Sequence, residues 1–522
     1  MQATEWFLTP TERGNPATVV DTRHGDGAAY TLGNDVAALV HGRVYFQALY
    51  EVIEGLRGGD LLLFTDWRGD PDQLLAGPGT EVGEVLAAAA RRGVVVRGLV
   101  WRSHWDRFRF SGTENRQLDA DIDAAGGLCL RDMRVRVGGS HHQKLVVARH
   151  RERPQLDVAF VGGIDIGHSR GDDDQHDGDP QAQPMAAVYG PTPPWHDVQA
   201  AIRGPAVGDV EATFRERWDD PAAISRHPVG VLADWARRDR RRADRLPDQL
   251  PDPPPCGTHA VQILRTYPYR RPSYPFAPAG ERSIALAYRK ALTNAQQLIY
   301  VEDQYLWSAQ IAEQFAEALR RAPQLRLVAV VPRYPDQDGA LSLAPSAAGQ
   351  GQALEVLLQA GGERVTVYNL ENAAGTPIYV HAKVCIIDDT WVNIGSDNFN
   401  QRSWTHDSEL ACAIIDTAAG SGSGGFARTL RLQLAAEHLE SDTSGTAQLI
   451  DPAPFSAAFA RAAAELDRWY DTGQTGARPP GRLRRHDPPR LAPATRLWAG
   501  QVYRTFFDPD GRPTSLRRAG RH

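Results

Sequence analysis

The sequence predicts an α/β protein of two duplicated halves. Each half is expected to be an α/β/α sandwich around a mixed, mostly parallel sheet, with a pseudo-twofold placing the active site at the seam. Three observations predict this. Short apolar strand patterns alternate with helix patterns, and the alternation is written twice at a nearly constant offset. A His-x-Lys tripeptide also occurs once in each half of a chain that is almost free of lysine.

Taken in order, Leu61–Trp67 reads as a short buried strand, answered by Leu298–Tyr305. A helix pattern at Glu81–Gly93 has its counterpart at Ile311–Pro323. Each leads into an apolar, β-branched run, Val94–Val100 and Leu325–Val331. Then come His142-Gln143-Lys144 and His381-Ala382-Lys383, 239 residues apart. Each tripeptide opens an apolar run, a polar turn and a second run, the pattern of a hairpin. The second runs close on Gly162-Gly163 and on Gly395-Ser396. A spacing of two on a strand puts the histidine and the lysine on one face. The Arg-, Asp- and Pro-rich stretch 219–258 marks the junction, so the halves are expected at 1–250 and 251–522, with an Arg/Pro-rich tail lacking periodicity after Gly476. Residues 418–425, rich in Gly and Ser, read as a loop.

Composition bounds the function. With 522 residues, 42% hydrophobic and 23% charged, the chain can bury a large core. A net charge of −6 speaks against nucleic acid as partner. No apolar run is long enough to span a membrane, residues 1–13 lack a secretory core, and the four cysteines show no CxxC spacing. A cytoplasmic monomer is therefore expected. Of 58 basic residues only Lys144, Lys290 and Lys383 are lysine. Lysine is a compact point charge that the planar arginine fork cannot replace in a tight site, so two lysines in one repeated tripeptide point to chemistry.

Phosphodiester cleavage needs a nucleophile, an acid for the departing alkoxide and cations for the non-bridging oxygens. Two histidines in opposite protonation states supply the first two near neutral pH, and two lysines supply the third. A zinc site at His141-His142 is disfavoured, because neighbours on a strand point to opposite faces and Lys144 would repel a cation; His141 reads as a packed neighbour. Each catalytic imidazole also needs an acceptor to set its tautomer. Glu409 and Asp197 are candidates, although by pattern alone either could be a surface carboxylate.

The second motif, His381-Ala-Lys383-Val-Cys-Ile-Ile-Asp388 followed by Ile394-Gly-Ser-Asp-Asn398, resembles the phospholipase D superfamily signature. The first motif, with Gly162-Gly-Ile-Asp165 and Pro194-Trp-His-Asp197, resembles the eukaryotic and plant-type branch, as do Tyr300–Tyr305 and Leu430–Leu439. The resemblance implies His142 as nucleophile, forming a phosphohistidine, and His381 as the acid that later activates water. It implies that Lys144 and Lys383, with Asn398, hold the phosphoryl oxygens. Glu409 would orient His142 and Asp197 would orient His381, each from the opposite half. Asp388, Gly395, Ser396, Gly162 and Gly163 are its structural positions, and no cofactor or metal is implied. Where Asp388 stands in the second motif, the first has Arg149, followed by a turn about six residues longer.

The expected activity is hydrolysis of glycerophospholipids, with phosphatidylcholine the first candidate, to phosphatidic acid and free headgroup, with transfer to primary alcohols. The alternatives are a phosphodiesterase or nuclease of the same superfamily, a cardiolipin-synthase-like transferase, and an inactive lipid-binding homologue. The expected partner is a phospholipid membrane surface, met peripherally. With only about 35 residues before the first half, no lipid-binding module is expected there. The strap Tyr267–Phe276, mixing aromatics with Arg, suits a headgroup interface or a plain interdomain connection. Trp67, Trp195 and Tyr305 could offer cation–π faces to choline or pack in the core.

Overall fold

The computed structural model describes residues 3–102, 112–224, 242–337, 340–418, 425–441, 448–488 and 491–518. The first half contains β1 (Thr31–Val40), β2 (Leu61–Asp66), β3 (Val95–Trp101), β4 (Leu128–Asp132), β5 (Leu145–Arg149), β6 (Val158–Gly162), β7 (Trp195–His196) and β8 (Val198–Arg203). The second contains β9 (His259–Tyr267), β10 (Glu281–Arg282), β11 (Leu298–Asp303), β12 (Arg326–Val330), β13 (Val365–Glu371), β14 (Pro377–Val380), β15 (Lys383–Ile387), β16 (Trp391–Gly395) and β17 (Glu409–Asp416), with β18 (Leu483–Arg485) contributed by the tail.

The strand order is the same in both halves. It runs β4-β3-β2-β5-β6-β8-β1 in one and β13-β12-β11-β15-β16-β17-β9 in the other. The equivalent edge strands β1 and β9 pair antiparallel with each other, the arrangement a twofold requires. The expectation of a mostly parallel sheet is corrected. Within the two main sheets only β2-β3-β4 and β11-β12-β13 run parallel, and the short strands β7 and β14 add one parallel pair between the halves. The hairpins β5-β6 and β15-β16 turn the remainder of each sheet antiparallel.

Alternation along the strands divides the core. Leu61 and Leu63 face a central core shared by both halves, while Leu62 and Phe64 face the first half's outer core. In the second half Leu298 and Tyr300 face the shared core, and Ile299 and Val301 the outer one. The longer helices are α1 (Gly42–Gly55), α2 (Val82–Arg91), α3 (Gly112–Ala124), α4 (Ala206–Trp218), α5 (Ser283–Asn294), α6 (Ala309–Arg321), α7 (Ala340–Gly361), α8 (Phe426–His438), α9 (Pro452–Asp471) and α10 (Pro493–Val502). Residues of α1 to α3 pack in the first outer core and those of α5 to α7 in the second, whereas α4, α8 and α9 pack in the shared one.

The structure refines three local readings, and a fourth falls outside the described residues. Residues 3–13 pack on the second half, Leu8 N donating to Gln262 (2.9 Å) and Arg13 pairing with Glu281 (3.0 Å), so the packing of the first half does not begin at residue 1. The tail is ordered beyond Gly476, with β18 paired to β13 and α10 following. The strap Tyr267–Phe276 turns three of its four rings inward, leaving Tyr269 half-exposed. Tyr267 and Tyr274 are fully buried and Tyr274 Oη donates to Arg134 O (2.6 Å), which removes them from any headgroup interface. Finally, residues 225–241 of the Arg-rich junction and 419–424 of the Gly/Ser loop lie outside the described residues. No helix among the described residues is long and apolar enough to cross a membrane.

Candidate active site

Both histidines sit on extended chain just before their hairpins, His142 three residues ahead of β5 and His381 two ahead of β15, and not within the strands themselves. Each is held from the opposite half by two consecutive residues. His142 N donates to Ser408 O (2.9 Å), and its Nδ1 lies 2.8 Å from Glu409 Oε2. His381 N donates to His196 O (2.8 Å), and its Nδ1 lies 2.6 Å from Asp197 Oδ2. A backbone carbonyl thus fixes the position of each histidine and the next residue's carboxylate fixes its ring. With Nδ1–H committed to a carboxylate, the reactive lone pair or proton is at Nε2. The Glu409 and Asp197 side chains are fully buried, whereas the His142 ring is 17% exposed and the His381 ring 7%.

The lysines repeat the symmetry. Lys144 Nζ donates to His142 O (3.1 Å) and Lys383 Nζ to His381 O. Their second partners differ: Asp165 for Lys144 (3.3 Å) and Gln304 for Lys383 (3.0 Å). Asp165 follows Gly162-Gly163 at the place Asn398 holds after Gly395-Ser396. Burial would raise its pKa, but Lys144, a hydrogen bond from Asp66 and Arg170 outweigh it, while burial and Asp165 push Asp66 well up. Burial pulls Lys383 down to about 8 despite the nearby Asp197 carboxylate. Burial also lowers His381 well below the usual imidazole range, with Lys383 and Arg170 adding to the effect.

The small residues closing the hairpins serve the carboxylates. Ser396 Oγ donates to Glu409 Oε2 (2.6 Å) and accepts from Leu410 N (3.0 Å). Its counterpart Gly163 has no room for a side chain, since a Cβ there would lie 2.4 Å from Asp197 Oδ1. Gly163→Ser is therefore expected to push Asp197 off His381. Misplacement on this scale lowers turnover about 10²-fold; steady-state kinetics with an unchanged thermal midpoint would check it. Gly162 and Gly395 are equally closed, a Cβ meeting Gln199 Oε1 at 2.4 Å in one and Ala411 Cβ at 2.5 Å in the other.

The remaining positions fall in three groups. Asn398 is buried with its Oδ1 unpartnered, and the next residue donates its N–H to Asp303 (3.1 Å). Asp388 faces away from the reacting groups and accepts from the N–H groups of Gln296, Gln297 and Leu298 (2.7–2.8 Å). Arg149 is also remote, buried between Asp157 and Glu211. His141 is buried 4.0 Å from Asp132. Trp195 is buried with the Arg170 guanidinium 4.2 Å over its ring, so that face is not open to a choline. Trp67 is half-buried, stacked on Trp101 with its ring centre 6.4 Å from that of His142; Tyr305 is half-buried edge-on to Trp307. Sequence reasoning missed Asp66, Asp165, Arg170 and Gln304. Laying Gly162-Gly-Ile-Asp over Gly395-Ser-Asp-Asn would have exposed Asp165.

A family described as phospholipase D matches residues 72–266, and one described as cardiolipin synthase, PLD-like domain, matches residues 288–422. The chain belongs to the phospholipase D superfamily. Within it the chain stands near the plant-type proteins. It is 27% identical to phospholipase D gamma 1 of Arabidopsis thaliana over 69% of this chain and 57% of that one. It is likewise 27% identical to phospholipase D alpha 1 of Cynara cardunculus, over 71% and 60%. The chain thus spans about three-fifths of the length of these relatives. Phosphatidylserine synthase of Haemophilus influenzae has a related fold, with a TM-score of 0.50 at 13% identity over 77% of this chain and 85% of that one. One chain carries both His/Lys pairs, one in each half.

Proposed function

We propose that this chain is a phospholipase D-type phosphodiesterase that cleaves glycerophospholipids on the headgroup side, with phosphatidylcholine the first candidate. The reading is carried by the two imidazoles whose Nδ1 atoms are each committed to a carboxylate of the opposite half, with a lysine beside each. His142 Nε2 attacks phosphorus and the bond to the headgroup oxygen breaks. His381 Nε2–H passes its proton to that oxygen. Water, or a primary alcohol, then attacks the phosphatidyl-histidine while His381 takes the proton back, releasing phosphatidic acid or the transfer product. Lys144, Lys383 and Asn398 hold the phosphoryl oxygens, and the protein meets the bilayer peripherally as a monomer. The test is incubation with mixed phosphatidylcholine vesicles and a few per cent ethanol, with the lipids read by mass spectrometry. Phosphatidic acid together with phosphatidylethanol is the expected result; no product from vesicles of any headgroup would overturn the reading.

The displaced His381 gives a signed pH prediction. An acid must hold its proton, and a lowered pKa means that the free protein loses it as pH rises through a value below 6.5. A bound phosphodiester anion offsets the charges of Lys383 and Arg170 and returns the proton. The alkaline limb of kcat/KM is therefore expected at lower pH than that of kcat. Coincident limbs would contradict this assignment. A second reading exchanges the two histidines, favoured by the same lowering, since a neutral imidazole is the better nucleophile.

A further inference from the structure

Behind the second motif lies a buried cluster that the proposed reaction does not use. His41, His176 and His196 turn toward one carboxylate, Glu437 at the end of α8. His41 Nε2 lies 2.9 Å from Glu437 Oε2, and His176 Nε2 and His196 Nδ1 lie 3.1 and 3.3 Å from Oε1. The four donor atoms all fall within 4.8 Å of one another. The ring centres are 4.7, 4.9 and 5.8 Å apart, so the imidazoles converge without stacking. His196 Nδ1 is fully buried and makes no hydrogen bond.

We infer that this cluster binds a structural divalent zinc ion through His41 Nε2, His176 Nε2, His196 Nδ1 and the Glu437 carboxylate. A tetrahedral zinc with bonds of about 2.0–2.1 Å sets donor atoms about 3.3 Å apart, and the three nitrogens stand within a few tenths of an ångström of that spacing from the carboxylate. Two of the three outer nitrogens are supported as ligating imidazoles usually are, and the third, the buried His41 Nδ1, makes no hydrogen bond. His196 Nε2 lies 2.6 Å from Glu302, which also takes His438 Nε2 at 2.7 Å, and His176 Nδ1 lies 3.4 Å from Asp172. Three imidazoles with one carboxylate suit zinc, whereas calcium and magnesium require mostly oxygen. Three carboxylates in a dry pocket also call for compensating positive charge, which a dication supplies. His41 and His176 hold left-handed backbone (φ 100° and 59°), a conformation that costs energy in a non-glycine residue unless its surroundings fix it.

The placement gives the ion a task. Three ligands come from the first half and one from the second, so the ion would clamp the seam. His196 O accepts the N–H groups of both His381 and Ala382 (2.8 and 3.1 Å), and the next residue is Asp197. The zinc would thereby hold the shelf on which His381 stands while touching none of the reacting atoms.

The test is metal analysis of the full untagged chain after dialysis against zinc and then metal-free buffer. About one zinc per chain is expected, with nitrogen and oxygen neighbours at about 2.0 Å by X-ray absorption. The His41→Ala, His176→Ala double variant should lose it. Should that variant fail to fold, the wild type decides. A strong chelator should lower its thermal midpoint, and zinc but not magnesium should restore it. Wild-type protein that retains less than about a tenth of an equivalent, or whose midpoint ignores both chelator and zinc, would overturn the proposal. The cluster would then hold protons, as imidazolium ions between carboxylates.

Discussion

His142→Ala is expected to abolish turnover of both phosphatidylcholine and phosphatidyl-p-nitrophenol, whereas His381→Ala is expected to spare the first step of the second substrate alone. The reason lies in what each ring does. His142 forms the covalent bond, and no substrate removes the need for it, so the loss is on the order of 10⁴- to 10⁶-fold for either ester. His381 protonates a leaving group. Choline is a poor one and requires that proton, so its turnover falls about 10²- to 10⁴-fold. Nitrophenolate departs without a proton, so the variant should release one equivalent in a burst and then stall as phosphatidyl-His142, lacking a base to activate water. Acid-quench trapping of the protein-bound phosphate would display the stalled species. A burst from His142→Ala and none from His381→Ala would reverse the roles, the outcome that the lowered pKa of His381 favours. The partner carboxylates should follow their rings, with Glu409→Gln resembling the His142 variant and Asp197→Asn the His381 variant.

How much of this was legible depended on whether the information was local. The duplication was legible because the repeated unit is built from neighbouring segments, so a fixed offset carries it. The His/Lys pairs stood out because lysine is rare in this chain. The carboxylates could be assigned to their histidines only through the family resemblance, since no spacing rule connects residue 142 to 409 or residue 381 to 197. The strap was ambiguous because Arg and aromatic residues have the same composition whether the rings face solvent or, like Tyr267 and Tyr274, the interior. Sheet direction was misjudged because strand-helix alternation describes only β2 to β4 and β11 to β13. The histidine cluster was invisible for the most physical reason: residues 41, 176, 196 and 437 meet only after both halves have folded and docked.

Arg149 reads in the sequence as a damaged motif, and restoring aspartate there is expected to harm the protein. The Arg149 side chain is fully buried between Asp157 (2.7 Å) and Glu211, with Pro251 O also accepting from it (2.5 Å). Arg149→Ala takes the guanidinium from Asp157 and leaves Glu211 with Arg215 alone (2.7 Å), and breaking a buried pair in this way typically costs about 3–5 kcal/mol. Arg149→Asp adds a third carboxylate and should cost at least as much. In the second half the Asp388 carboxylate, on the hairpin turn, binds the N–H groups leading into β11. In the first half the polarity is reversed. Asp60, just before β2, accepts the N–H of Arg151 on the hairpin turn (3.0 Å) and that of Arg57 (2.9 Å). The tie between turn and strand thus survives with its acceptor moved to the other side, and position 149 is released to pair with the carboxylates of the longer loop and of α4. Urea unfolding of the two Arg149 variants measures the cost, and kinetics under folding conditions should show turnover per folded molecule close to wild type, since Arg149 touches no reacting group. An Arg149→Asp protein as stable as the wild type would mean that the aspartate still fits and that the arginine network contributes nothing.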